Sequence, residues 1–318
     1  MRKYFLLLLA GSFLLISCVS NSGRKEPDLS ETEGLRIPFT LDSHHHVILT
    51  FQTDEDITVH LNFDSGCPDK KPLVSEEGLK KLSGSSYGDL MKEREAFPDT
   101  ATTDFSPAFL TAQTSMGEIR FTEKVFSYSP AEIKGYEVSG DADATIGFAF
   151  FQEAKRITFN YKENFIEIDG PAIGDTEIPL HYFMATGHYF APVIIDGKED
   201  YALLDTGSEV FTLREKAFSR KIMCAMMEDQ ALTFSDFYKV ISQVKLAATE
   251  GEYNTADSFT IGKVTWEKVR ALKNTDRHMH TGALSRQIIA SSNNIGYPFF
   301  KDKIIQFDLE KMIFRIVE

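Results

Sequence analysis

Along most of this chain, apolar and polar residues alternate in short runs. That is the period-two pattern of strands that bury one face. Val59-His60-Leu61-Asn62-Phe63 is one such run, and it ends on Asp64-Ser65-Gly66. Tyr201-Ala202-Leu203-Leu204 is more continuously apolar and ends on Asp205-Thr206-Gly207-Ser208. Other runs pair about turn signals and predict hairpins. Phe109 to Ser115 and Glu118 to Tyr128 flank Met116-Gly117, while Asp257 to Ile261 and Val264 to Leu272 flank Gly262-Lys263. Helix signals are few. Ser75 as a cap, Glu76 and Glu77 in a first turn, Lys80 and Lys81 in a last turn and Gly84 beyond predict one short helix. Thr212 with Glu215 reads as a capping box that opens another. Many short strands with few short helices predict an all-β fold.

The pattern repeats. Ile37-Pro38-Phe39 and Ile178-Pro179-Leu180 are 141 positions apart (37 and 178), as are Asp64 and Asp205. Gly117 and Gly262 stand 145 apart, and Gly147 and Gly296 stand 149 apart. Ile157-Thr158-Phe159-Asn160-Tyr161 and Ile305-Gln306-Phe307-Asp308-Leu309 are 148 apart (157 and 305). The same landmarks in the same order, with a drifting offset, predict a duplicated chain. The expected lobes are residues 37–171 and 178–318, joined by 172–177.

The N-terminal segment follows another pattern. Arg2 and Lys3 precede an apolar run from Tyr4 to Ile16, short for a membrane span and suited to a signal peptide over 1–17. It ends on Leu15-Ile16-Ser17-Cys18, which resembles a bacterial lipobox, with Cys18 as the lipidation site. Polar residues 18–36 then read as a tether. The implied location is the bacterial cell envelope, lipid-anchored at the outer membrane or the periplasmic face.

Charge and composition narrow the partners. A formal charge of −13 with no basic run argues against a nucleic-acid partner. Cys67 and Cys224 are the two cysteines besides Cys18, and their different settings predict thiols and not a disulfide framework. On a strand, His44-His45-His46 would turn at most two rings to one side, with no acid or cysteine at ligand spacing, so no metal site is expected. With no Walker loop or dinucleotide fingerprint, no cofactor is expected either.

The two stretches Asp64-Ser65-Gly66 and Asp205-Thr206-Gly207 resemble the D-S-G or D-T-G motif of the aspartic proteases. Each half also closes on an apolar residue and a glycine followed by aromatics: Ile146-Gly147-Phe148 and Ile295-Gly296-Tyr297. The resemblance implies two tandem pepsin- or retropepsin-like β-barrel lobes with a central cleft. It makes Asp64 and Asp205 the catalytic pair. Ser65 and Thr206 would cross-link the loops, Gly66 and Gly207 would bring N–H groups to the acids, and Ser208 would sit at the next supporting position. Ile146-Gly147 and Ile295-Gly296 would thread beneath. Two departures stand out: Cys67-Pro68 where a hydroxyl residue is usual, and polar Thr145 and Asn294 before the isoleucines.

The activity so implied is endopeptidase action on peptide or protein substrates by a monomer. The alternative is a non-catalytic peptide-binding envelope lipoprotein that keeps the fold. A flap over the cleft is implied as well, with Tyr87-Gly88, Phe105 and Phe109 as candidates for it.

Overall fold

The computed structural model describes residues 33–67, 72–96, 103–128, 142–183, 187–208, 212–213, 253–273 and 293–318. The expected signal peptide, Cys18, Cys224, Pro68 and Glu215 lie outside them. Among the described residues, no helix is long and apolar enough to cross a membrane.

The fold is all-β with few short helices. In the first half, β1 (Leu35–Leu41), β2 (Val47–Thr53) and β3 (Thr58–Phe63) form a meander whose last strand delivers Asp64. β3 then pairs in parallel with β9 (Ala144–Ile146), so the chain returns from far away to lie beside the acid-bearing strand. The short β4 (Leu73–Val74) flanks β9 on its other side and pairs with β8 (Phe126–Tyr128), which pairs with β5 (Thr103–Phe105). The predicted hairpin forms as β6 (Phe109–Thr114) and β7 (Gly117–Thr122), with β6 also pairing with β2. The expected strand from Glu118 to Tyr128 is broken between β7 and β8, where Glu123 takes a left-handed φ of 57°.

The predicted helix forms as α1 (Glu76–Ser83), with the Ser75 hydroxyl accepting from the Gly78 N–H and Gly84 at its end. Gly78 is needed for docking, since a Cβ there would lie 1.8 Å from the Asp143 carbonyl oxygen. Lys81 completes the contact with a 2.8 Å bond to the buried Asp143 carboxylate. Tyr87, a candidate flap tip, instead opens α2 (Tyr87–Ala96), a correction that follows from the good helix formers after it.

The half that carries Asp205 reproduces this plan. β10 (Arg156–Asn160), β11 (Phe165–Ile168) and β12 (Ile178–Pro179) belong to the joint between the halves. β13 (His181–Phe183), β14 (His188–Ile195) and β15 (Lys198–Leu204) form the meander that leads to Asp205. β15 pairs in parallel with β19 (Asn293–Ile295). β19 meets β16 (Thr212–Leu213), β16 meets β18 (Val264–Lys273), and β18 meets β17 (Tyr253–Ile261). β17 pairs back onto β14, so the pairings run in a closed circuit. Thr212 is therefore a strand residue and not the cap of a helix, because its backbone is engaged by β18 and β19.

Backbone geometry carries the repeat independently of the motifs. Left-handed residues recur at Asp56 and Gly197, at Glu123 and Lys268, and at Asn164 and Met312, which are 141, 145 and 148 positions apart. The last pair turns β10 into β11 and β20 (Ile304–Asp308) into β21 (Ile313–Val317). These strands join the halves in one antiparallel sheet ordered β12-β21-β20-β10-β11-β1. Its centre is the Thr158–Gln306 register, where Gln306 Nε2 donates to Thr158 Oγ1 at 2.9 Å. Phe63, Phe148, Phe159 and Phe307 pack above it with ring centroids 4.8 to 6.0 Å apart, so the core continues from beneath the Asp64 loop across the joint.

Candidate functional site

Each acid sits where a strand ends and a tight loop begins, and the strand returning beside it holds that loop. The Asp64 N–H donates to the Ile146 carbonyl at 2.9 Å, and the Asp205 N–H donates to the Ile295 carbonyl at 3.0 Å. Each loop then closes on itself, from Cys67 N–H to Asp64 O at 3.0 Å and from Ser208 N–H to Asp205 O at 3.2 Å. The loops rest directly on Gly147 and Gly296. A Cβ on Gly147 would lie 2.4 Å from the Cys67 carbonyl oxygen, and one on Gly296 would lie 2.2 Å from that of Ser208. This close approach explains why an apolar residue and glycine recur there.

The loops are bolted together by their hydroxyl residues. Thr206 Oγ1 accepts from the Ser65 N–H at 2.9 Å, and Ser65 Oγ accepts from the Thr206 N–H at 2.8 Å. Each hydroxyl also donates across the joint, Ser65 to the Leu204 carbonyl at 2.9 Å and Thr206 to the Phe63 carbonyl at 3.3 Å. Four reciprocal bonds made by two buried residues fix the loops in register.

The carboxyl groups are thereby brought face to face. Gly66 N–H donates to Asp64 Oδ1 at 2.7 Å, and Gly207 N–H to Asp205 Oδ1 at 3.1 Å. Each glycine also leaves room for the opposite acid: a Cβ on Gly66 would lie 2.6 Å from Asp205 Oδ1, and one on Gly207 2.3 Å from Asp64 Cγ. Burial pushes the Asp64 carboxyl well above its ordinary value of 3.8, and the charge and hydrogen bond of Asp205 push it the same way. Two acids so placed cannot both ionise cheaply, which favours a shared proton between them.

Two further groups escape a motif-based reading. Asn294 Nδ2 donates to Asp205 Oδ2 at 2.9 Å, so a polar residue that breaks the apolar pattern touches an acid directly. The polarity of Asn294 before Ile295 is the one sequence signal for it. Tyr161 is buried near the pair, and its hydroxyl has no hydrogen-bond partner among the described residues. Burial first, then Tyr297, Asp205 and Asp64, push this hydroxyl above its ordinary range. No local signal marks Tyr161, which follows an ordinary strand.

The triple histidine is not on a strand as expected but in the β1–β2 loop. There Asp42 Oδ1 accepts from the His44 and His46 N–H groups, and Asp42 Oδ2 lies 2.9 Å from His46 Nδ1. The strand ends early because this Asp captures the backbone locally. His45 stacks on Tyr297 at 4.4 Å. Phe105 is buried against Phe126 at 5.9 Å, and Arg120 covers the Phe109 ring at 4.4 Å. Beside the Asp64 loop, a cavity of about 700 Å³ is lined by Cys67, Phe148, Phe151, Tyr182, Tyr189 and Leu309, among others. Burial, then Tyr182, pushes the Tyr189 hydroxyl up to about 12.

The chain matches no family model and no curated protein. Among solved structures it is similar to conglutin gamma, a basic 7S globulin from lupine seeds, at 11% identity and a TM-score of 0.51, covering 90% of this chain and 95% of that one. It is also similar to basic 7S globulin from soybean, at 10% identity and a TM-score of 0.50, with the same coverage of 90% and 95%. At such identities the likeness concerns the fold alone, which is pepsin-like.

Proposed function

We propose that this chain is an aspartic-type endopeptidase tethered to the bacterial cell envelope. The observation that carries the reading is the pair Asp64 and Asp205, facing each other across cross-linked loops, with the Asp64 carboxyl held toward its protonated form. Peptide hydrolysis by this route needs one carboxylate to take a proton from water and one carboxylic acid to donate to the scissile carbonyl. A buried pair that retains one proton has both species at once. The aromatic cavity beside Cys67 offers an apolar wall for a substrate side chain.

The test is cleavage of unfolded protein substrates, read by mass spectrometry of the fragments. Asp64→Asn and Asp205→Asn are each expected to lower turnover by about 10²- to 10⁴-fold or more. The double variant is expected to be little worse than either, because the acids act as a unit. Hydrolysis unchanged in Asp205→Asn would overturn the reading. The tether is tested separately: Cys18→Ser should move the protein from the membrane to the soluble fraction, and membrane retention would refute lipidation.

A second reading is a non-catalytic peptide-binding lipoprotein. Cys67 favours it, since a thiol stands where the aspartic proteases usually place a hydroxyl beside the acid, and a thiol is a weaker donor. Peptide bound without turnover, with equal affinity in Asp205→Asn, would select it.

A further inference from the structure

The two halves match at the acids but not at the residue beside each one. In the first half, β9 runs parallel to β3 with Thr145 opposite Asn62. In the second, β19 runs parallel to β15 with Asn294 opposite Leu203. Thr145 and Asn294 therefore hold the same register position, one residue before the isoleucine that supports each loop. Asn294 reaches its acid at 2.9 Å, whereas Thr145 makes no hydrogen bond to Asp64. Asp205 is thus held at both oxygens, Oδ1 by the Gly207 N–H and Oδ2 by the Asn294 amide. Among the described residues, the donors to Asp64 are the backbone N–H groups of Gly66 and Gly207.

We infer that Asn294 is a positioning residue, which orients Asp205 and biases the pair so that Asp205 carries the negative charge and Asp64 keeps the proton. The inference rests on reading the pair as an acid–base unit. The amide NH₂ can only donate, and a donor favours the ionised form of the group that accepts from it. Asn294 is buried, and among the described residues its Oδ1 has no hydrogen-bond partner. Flipping the amide would turn that oxygen onto a carboxylate oxygen, so an ionised Asp205 also locks the amide. The tendency of Asp64 to stay protonated points the same way. Among the described residues, the other titratable groups facing the pair are Tyr161 and, through it, Tyr297. Among the described residues no Lys, Arg or His forms an ion pair with either acid, so no nearby cation overrides the amide.

The experiment is a titration of the full chain labelled with ¹³C at the aspartate carboxyl carbons and followed by NMR. The two signals are assigned from Asp64→Asn and Asp205→Asn. In the wild type, the lower of the pair's two steps is expected to move mainly the Asp205 signal. In Asn294→Leu that step should rise by about one pH unit, since the donor to the anion is lost. Asn294→Thr, which installs the residue of the first half at the same register, should move it in the same direction and serves if the leucine variant does not fold. A lower step on Asp64 in the wild type, or an unchanged titration in the folded variant, would overturn the inference. Where peptide cleavage is measurable, the acid limb of the kcat/KM profile should move up by the same amount. A wild type that titrates as expected but cleaves nothing would refute the protease reading and leave the role of Asn294 intact.

Discussion

Asp64 and Asp205 stand at the ends of equivalent strands and share backbone bonds almost atom for atom, yet their surroundings differ. Beside Asp205 lie Leu203 on its own strand and Asn294 on the returning one, and Asn294 binds the acid. Beside Asp64 lie Asn62 and Thr145, and Thr145 does not bind it. Cys67 follows the first loop where Ser208 follows the second. Tyr161 follows β10 near the acids, and its counterpart 148 positions later is Leu309. Repeated backbone with divergent side chains gives two acids of one geometry and different electrostatics. Two identical carboxyls would also share one proton, without preference, so the difference decides which of them keeps it.

The contrast extends into the sheet that joins the halves. Arg315 on β21 is buried with Asp308, their closest atoms 3.5 Å apart, and its other end meets Glu177 at 2.6 Å. The position equivalent to Arg315 in the first half is Glu167, whose partner Arg36 has 41% of its side chain exposed. Arg315→Met should therefore cost about 3–5 kcal/mol, since it strands the Asp308 charge inside the protein. Arg36→Met should cost less, because water reaches that guanidinium. Urea unfolding of both variants checks the contrast, and equal losses would refute it.

A next-largest effect is expected from crossing the loops. Gly207→Ala would push a methyl group into Asp64, and Gly66→Ala would push one into Asp205. Either displacement should lower kcat/KM by about 10²-fold. Equal activity in either folded variant would mean that the acids tolerate rearrangement.

The bolts between the loops should matter less singly and together behave as one unit. Ser65→Ala strands the Thr206 N–H, and Thr206→Ala strands the Ser65 N–H, each for about 1–3 kcal/mol. The double variant should lose less than the sum. Additive losses in chemical unfolding would show that the two hydroxyls act independently.

The smallest expected effect is the pH dependence of stability from Asp64. Its folded-state pKa is raised, so the native state holds a proton that the unfolded chain releases. This contribution is complete below the ordinary value of 3.8 and is lost as pH rises through the raised folded value. A tenfold difference in proton affinity between the folded and unfolded chain is worth about 1.4 kcal/mol. Thermal melts across that window should show wild-type stability declining with pH, and Asp64→Asn should flatten the decline. An identical slope in both would locate the effect elsewhere.

Much of this architecture is legible in the chain. Alternation predicts strands because a half-buried sheet must place every second side chain in its core, and the hairpins about Gly117 and Gly262 follow from glycines that accept left-handed φ. The repeat brings Asp64 and Asp205 into one frame, because loops that share residue types at matched spacing fold alike. The α1 cap is readable for the same reason, being local.

What lies beyond the sequence depends on contacts between residues far apart along the chain. Tyr87 and Thr212 mislead because their neighbours fit more than one local structure, and a helix in one case and partner strands in the other settle the choice. Asn294 stands out as a polar residue out of place, but its touching Asp205, 89 positions earlier, is decided when β19 lies down beside β15. Tyr161 gives no sign, since its burial beside the acids arises from the joint sheet. Local pattern selects strands, turns and acids because each minimises its own free energy over a few residues. Which carboxyl is ionised is decided by desolvation and hydrogen bonds that exist after the halves close over them.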